Sequence, residues 1–108
     1  MEHHPASDRS WAATPFEGIE RALFRNHANG GRSSLVRLQA GAAFPRHRHG
    51  GTEEVLVLSG EVEIGGARLR AGDYLYTTPG EEHGVQALSD AVIFVSSQGP
   101  TPLVGGDA

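Results

Sequence analysis

Two histidines and a glutamate stand close together in the stretch FPRHRHGGTEEVLVLSG, residues 44–60. Side chains alternate between the two faces of a strand, so His47 and His49 point the same way and can bind one metal ion. Glu53 follows a Gly-Gly-Thr bend and shares their parity, and His83 comes later, after a Pro-Gly turn. Three neutral imidazoles and one carboxylate suit a divalent transition metal such as Zn, Fe, Mn or Ni.

Each of these residues also has a simpler interpretation. A single histidine on a strand is more often a surface residue than a ligand, and Glu53 with Glu54 can be an ordinary solvated pair. What favours a metal site is the combined spacing of the four residues. If Glu53 is a ligand, no other residue stands out as a general base, and the catalytic residues stay unknown.

Five further side chains are candidates for lining a substrate pocket beside the cluster. Two are bulky enough to plug it, and the others are aromatic or amide side chains that are equally common on a strand's outer face. The five are Phe44, Tyr74, Tyr76, Gln86 and Phe94.

The rest of the chain predicts short strands that would position these groups. Fifteen of the 108 residues are glycine, only 20% are charged, and turn signals recur every eight to twelve residues. Such spacing is typical of an all-β sandwich or barrel. A helix of one or two turns is the alternative for the first of the predicted strands. The predicted strands are 19–26, 33–39, 44–48, 53–59, 61–64, 67–70, 74–77, 83–88 and 91–97.

The strand at 53–59 is apolar on both parities. Val55 and Val57 continue the face of Glu53 and provide an apolar floor, while Leu56 and Leu58 point to the other side. That second face needs a cover, and a barrel of this size has little mass of its own to supply one. We therefore predict a homodimer, because large exposed apolar patches are uncommon on monomers.

Charge and composition exclude several classes of function. The formal net charge is −4 and the arginines are scattered, which argues against nucleic-acid binding. No uncharged stretch is long enough to span a bilayer, and cysteine is absent. We expect a soluble, cytoplasmic protein with no membrane partner. Its predicted organisation is a partly disordered N-terminal segment at 1–15, one barrel domain at 16–100 and a flexible tail at 101–108.

Two stretches of the chain resemble the two motifs of the cupin superfamily. The first matches at every defined position, and the second, GDYLYTTPGEEHGVQA, keeps the step from Gly80 to His83. Thr78 replaces the usual proline and Ala87 the usual asparagine, which affects the turn and an outer amide but not the ligand set. The first motif is carried by Gly41, His47, His49, Glu53 and Gly60.

The cupin resemblance, over residues 33–97, implies a fold and a site. The fold is a double-stranded β-helix, or jelly-roll barrel, and His47, His49, Glu53 and His83 bind the metal. Among cupins the chain is most similar to the ChrR-type domains, which bind zinc at the C-terminus of some anti-sigma factors. Only about thirty residues precede the barrel here, so we expect the sigma-binding module to be absent.

Three functions are compatible with this resemblance. The first is a metalloenzyme, dioxygenase- or isomerase-like, that acts on a small oxygen-bearing molecule at an open metal position. The second is a non-catalytic regulatory module that senses zinc or a small effector. The third, a barrel with a vestigial site, is disfavoured because a buried cluster of three imidazoles and a carboxylate needs a compensating charge.

Overall fold

A computed structural model describes residues 1–104, and within them the chain forms ten strands and one three-residue 3-10 helix, Ala6–Asp8. The predicted all-β fold is confirmed. The strands are β1 (Ala12–Ala13), β2 (Ile19–Asn26), β3 (Arg32–Leu38), β4 (Ala43–Arg48), β5 (Glu53–Ser59), β6 (Glu61–Ile64), β7 (Ala67–Arg70), β8 (Tyr74–Thr77), β9 (Glu82–Ala87) and β10 (Ala91–Ser97).

The strands form two antiparallel sheets that pack face to face as a jelly roll. The larger sheet has the order β1-β2-β3-β10-β5-β8, and the smaller has the order β4-β9-β6-β7. One apolar core joins them, with Val36, Val57 and Ile93 from the larger sheet and Val62 and Ile64 from the smaller. Burial of such side chains stabilises each by about 1.5–3 kcal/mol. Among residues 1–104 there is no helix with the length and apolar character needed to cross a membrane.

The segment IERALFRN forms a strand, β2, and not a helix. It pairs with β3 along almost its whole length, from Ile19 opposite Leu38 to Asn26 opposite Arg32. The register shifts between Leu23 and Arg25, so this strand carries an irregularity of the bulge type. The predicted strand is confirmed with its bounds.

The N-terminal residues lie against the barrel rather than apart from it. β1 pairs with β2, the Arg9 guanidinium lies 5.8 Å from the centre of the Phe24 ring, and Arg37 stacks on Trp11 at 4.2 Å. Cation–π contacts of this kind stabilise by about 0.5–1 kcal/mol at exposed sites. Residues 9–13 thus pack against the larger sheet, and the partial disorder expected within residues 1–15 stays a prediction.

Residues 101–104 belong to the tail that was predicted to be flexible, and they contact β4. Leu103 forms a β-bridge with His47, Pro102 O accepts a hydrogen bond from Arg48 N, and Val104 N donates to Arg46 O. Residues 101–104 therefore run beside β4 as an added strand segment. Residues 105–108 lie outside the described part of the chain.

Strand β5 shows the predicted division into two faces. Val55 and Val57 are 2% and 1% exposed, whereas Leu56 and Leu58 are 37% and 49% exposed. The outer face of β5 is thus apolar and open to solvent in the single chain.

A glycine at the junction of β5 and β6 fixes the end of the strand that carries Glu53. Gly60 has a φ of +76°, and a Cβ there would lie 2.0 Å from Asp90 O. Both the left-handed backbone and the close approach exclude a side chain.

We predict that Gly60→Ala destabilises the fold far more than Gly66→Ala. Gly66 has a φ of +84°, and a Cβ added there would have nothing within 4 Å, so alanine meets only backbone strain of about 1–2 kcal/mol. Overpacking at Gly60 adds about 1–3 kcal/mol. Urea unfolding of both variants measures the difference, and equal losses would contradict the argument.

Candidate metal centre

Three neighbouring strands bring the four predicted ligands together. His47 on β4 lies directly opposite His83 on β9, and His49 follows the end of β4. Glu53 is the first residue of β5. Because the side chains of paired residues point to the same face, the two sheets place all four groups at one end of the barrel interior.

The four side chains form one compact cluster. One ligand atom from each of His47, His49, Glu53 and His83 lies within 4.8 Å of the others. The ring centre of His49 is 4.7 Å from that of His47 and 4.5 Å from that of His83. His47, His49 and Glu53 are 5%, 1% and 8% exposed, and His83 is half-buried. Four donors at such distances can hold a metal ion.

Backbone carbonyls orient two of the three imidazoles. Nδ1 of His47 donates to Pro45 O at 2.9 Å, and Nδ1 of His49 donates to Glu81 O at 3.0 Å. A carbonyl only accepts, so the proton is on Nδ1 in both rings and the lone pair of the neutral ring is on Nε2. This is the second contact that metal-binding histidines usually make.

The contact between His49 and Glu53 requires a cation. Nε2 of His49 lies 3.0 Å from Oε1 of Glu53, and Ser97 donates to Oε2 of Glu53 at 2.5 Å. Since Nδ1 of His49 already carries a proton, a neutral ring would turn its Nε2 lone pair toward a buried carboxylate. Only a second proton or a metal ion between these atoms resolves that repulsion, so the donor set fits a divalent metal.

In the metal-free protein, protonation supplies the positive charge between His49 and Glu53. Burial disfavours the charged form of His49, but the hydrogen bonds to Glu53 and to Glu81 O outweigh it and raise the pKa of His49. Burial acts against ionisation of Glu53 too, yet the hydrogen bonds from His49 and Ser97 lower the pKa of Glu53. Burial, with the charges of His49 and His47, lowers the pKa of His83.

The turn before β9 holds His49 in place. Thr78 donates its backbone N–H and its hydroxyl to the Glu81 carboxylate, both at 2.8 Å. Glu81 O accepts from the backbone N of His49, and Gly80 N donates to His49 O. Thr78, which departs from the cupin motif, thus closes this turn through its side chain.

A cavity of about 70 Å³ adjoins the cluster inside the barrel. His47 and Glu53 form part of its wall, and Phe44, Val85 and Ile93 belong to its apolar lining. The Phe44 ring meets the edge of His47 with ring centres 5.7 Å apart. Ligand pockets for drug-sized molecules occupy about 300–1,000 Å³, so this cavity suits a ligand of only a few non-hydrogen atoms.

Of the five predicted pocket residues, the structure places only Phe44 at this cavity. Tyr74 and Tyr76 are 55% and 52% exposed, because Leu75 and Thr77 take the inward positions of β8. Tyr74 donates to Glu54 at 2.7 Å on the outer face.

The other two predicted pocket residues also point outward. Gln86 is exposed between the inward positions Val85 and Ala87 of β9. Phe94 packs near Phe24, with ring centres 6.3 Å apart. Strand parity is the reason in each case.

Arg21 is a charged cavity residue that sequence reasoning missed. It lies on β2, and it lines the cavity together with Glu53. Its parity with the buried Ile19 was the available signal, but a charged residue in a strand is usually assigned to the surface.

The sequence profile of the ChrR cupin-like domain matches residues 2–102. The chain belongs to the ChrR cupin-like domain family. The arrangement of the two sheets is therefore that of a cupin, as predicted. A protein of Arabidopsis thaliana, the DNA damage-repair/toleration protein DRT102, is 32% identical over 73 residues. That match covers 62% of this chain, and the chain spans about a quarter (24%) of the length of that relative.

Solved structures share this cupin fold. A candidate acetylacetone dioxygenase from Methylibium petroleiphilum is 22% identical with a TM-score of 0.88, covering 99% of this chain and 83% of that one. The anti-sigma ChrR of Rhodobacter sphaeroides, solved in complex with SigE, is 25% identical with a TM-score of 0.74. That match covers 86% of this chain and 51% of the solved one.

We predict an unusual pH dependence for the metal-free cupin. The raised pKa of His49 gives stability that is complete below about pH 6.5 and is lost as the pH rises through the folded-state pKa. The lowered pKa of Glu53 gives stability that is complete above about pH 4.5 and is lost on acidification. The pair therefore contributes most between these values.

Thermal unfolding of EDTA-treated wild type and Glu53→Gln measures this contribution. The advantage of the wild type is expected to be largest near pH 5.5 and smaller at pH 8. His83, whose lowered pKa acts in the opposite direction, is present in both proteins. An advantage that grows steadily up to pH 8 would show that the pair is not charged in the metal-free state.

Proposed function

We propose that this cupin binds a divalent transition metal through His47, His49, Glu53 and His83, and that a small oxygen-bearing molecule reaches the metal from the cavity. The observation that carries the proposal is the convergence of four donor atoms within 4.8 Å of one another, among them Nε2 of His49 and Oε1 of Glu53 at 3.0 Å. The cavity supports the second half, because His47 and Glu53 belong to its wall.

The chain's own residues prepare the site for such a ligand. When bound, the metal supplies a Lewis acid that polarises an oxygen atom of the ligand. The carbonyls of Pro45 and Glu81 hold two imidazoles in the required orientation, and Ser97 holds the carboxylate. The apolar floor of the cavity limits water at the reacting end of the ligand.

The first test is the metal content of protein purified without added metal. We expect about one metal ion per chain in the wild type, and a loss of more than about tenfold in His49→Ala, because even residues that only support a ligand cost about 10–100-fold. His27→Ala is the matched control, since His27 bonds Ser33 outside the cluster. Full occupancy of His49→Ala at limiting metal would refute the ligand assignment.

Within this function we propose an enzyme of the dioxygenase or isomerase type. The support is a candidate metal site that adjoins a mostly apolar cavity, together with fold likeness to a candidate acetylacetone dioxygenase. Oxygen uptake by the Fe(II)-loaded protein with small dicarbonyls tests the oxygenase half. We expect uptake that requires both iron and His83, and an unchanged rate in His27→Ala.

A zinc- or effector-responsive regulatory module is the second candidate. The family membership and the small size of the cavity favour it, and the solved ChrR structure is a complex with a sigma factor. Absence of turnover with Fe, Mn, Ni and Zn, combined with a zinc-dependent gain in thermal stability, would support this alternative over the enzyme.

We also propose that the protein is a homodimer in the cytoplasm. The paired strands β5 and β8 carry four exposed apolar or aromatic side chains, Leu56, Leu58, Tyr74 and Tyr76. The outer edge of β8 is unpaired within residues 1–104. A second copy on this face would cover the set by two-fold symmetry.

Light scattering measures the oligomeric state. We expect twice the chain mass of 11.4 kDa at micromolar concentration, and a shift toward the monomer in Leu58→Glu. Leu88→Glu, at another exposed leucine, is the control and should stay dimeric. A wild-type monomer would refute this proposal.

A further inference from the structure

The cavity beside the metal cluster contains a cationic group that the metal site does not use. Arg21 lines the cavity from β2 in the larger sheet, whereas His47 lines it from β4 in the smaller sheet. Its Nε is buried and has no hydrogen-bond partner within residues 1–104. A guanidinium has five N–H donors and no acceptor, so an acceptor that enters the cavity would satisfy this atom.

Leaving such a donor unsatisfied is costly. A buried polar group without a partner costs about 1–3 kcal/mol, and a charged one more. Arg37, by contrast, is exposed and makes two hydrogen bonds to Glu20. The chain therefore keeps at Arg21 a group that weakens the fold of the single chain, which is typical of a binding position rather than of a structural one.

The charges around the cavity are arranged for an anion. Two arginines, Arg21 and Arg32, line it, and Glu53 is the one carboxylate among the described lining residues. Burial, followed by repulsion from Arg32, lowers the pKa of Arg21, although a guanidinium stays charged. If Glu53 binds the metal, its charge is already compensated, and the remaining cavity is positive.

From these contacts we propose that Arg21 recognises the carboxylate of a short-chain carboxylic acid whose other end lies on the apolar floor toward the metal. A planar carboxylate matches the fork of a guanidinium, and Val36, Val85, Ile93 and Val95 suit the short apolar part. The volume of about 70 Å³ restricts the acid to a few carbon atoms. This inference rests on the proposed metal-binding function and names its ligand class.

The test compares an acid with its neutral isostere on the metal-loaded protein. Propionate and propionamide are titrated into zinc-loaded protein at constant ionic strength, with binding followed by calorimetry and by the shift in unfolding temperature. We expect propionate to bind at least about tenfold more tightly than propionamide, which corresponds to about 1.4 kcal/mol. Equal binding of the two would overturn the inference.

Variants at position 21 separate recognition from folding. Arg21→Met keeps the length and removes the charge, and it should abolish the preference for propionate while the zinc content is unchanged. Arg21→Lys keeps the charge without the fork and should retain part of the affinity. Arg37→Met is the matched control at an exposed arginine and should bind like the wild type. Circular dichroism verifies that each variant is folded.

The outcomes distinguish a failure of this inference from a failure of the proposed metal-binding function. If zinc-loaded wild type and zinc-loaded Arg21→Met bind propionate with the same affinity, the inference is overturned and the proposed metal site stands. Protein that takes up no zinc, yet binds propionate only when Arg21 is present, would overturn the proposed metal site and support the anion subsite.

Discussion

The contact between His49 and Glu53 is the interaction on which the rest of the site depends. Its two atoms lie 3.0 Å apart in the barrel interior, and the other nitrogen of the ring is already bonded to a backbone carbonyl. The arrangement is stable only with a positive charge between them, either a proton or a metal ion. Every other feature of the site follows from fixing these two groups: the Thr78 turn holds the histidine, and Ser97 holds the glutamate.

The alternation of side chains along β4 explains why charged arginines can stand next to the inward-pointing histidines in the sequence. Arg46 and Arg48 alternate with His47, and their side chains point outward to Glu82 on β9. The ion pairs span the same two strands whose inward residues are His47 and His83. The strands that bring the imidazoles together are therefore joined on both faces, although exposed ion pairs of this kind contribute only about 0–1 kcal/mol each.

Much of the fold and of the cluster could be predicted from the sequence because both depend on local signals. Gly60, with its left-handed backbone, ends a strand at the predicted position, and the alternation from Glu53 to Val57 assigned the inward face correctly. The contacts of residues 9–13 and 101–104 could not be predicted in this way. Their placement rests on contacts between distant residues, such as Leu103 beside His47, which leave no periodic pattern.

The predicted pocket residues also show where prediction from the sequence fails. Aromatic character suggested Tyr74 and Tyr76, but the pairing of Glu53 with Thr77 turns both tyrosines outward. Arg21 was not among the predicted pocket residues, although its parity with Ile19 turns it inward. The direction set by the strand, rather than residue type, decided which side chains reach the cavity. Arg21 lines the same cavity as His47 and Glu53, so its chemistry cannot be separated from that of the candidate metal centre.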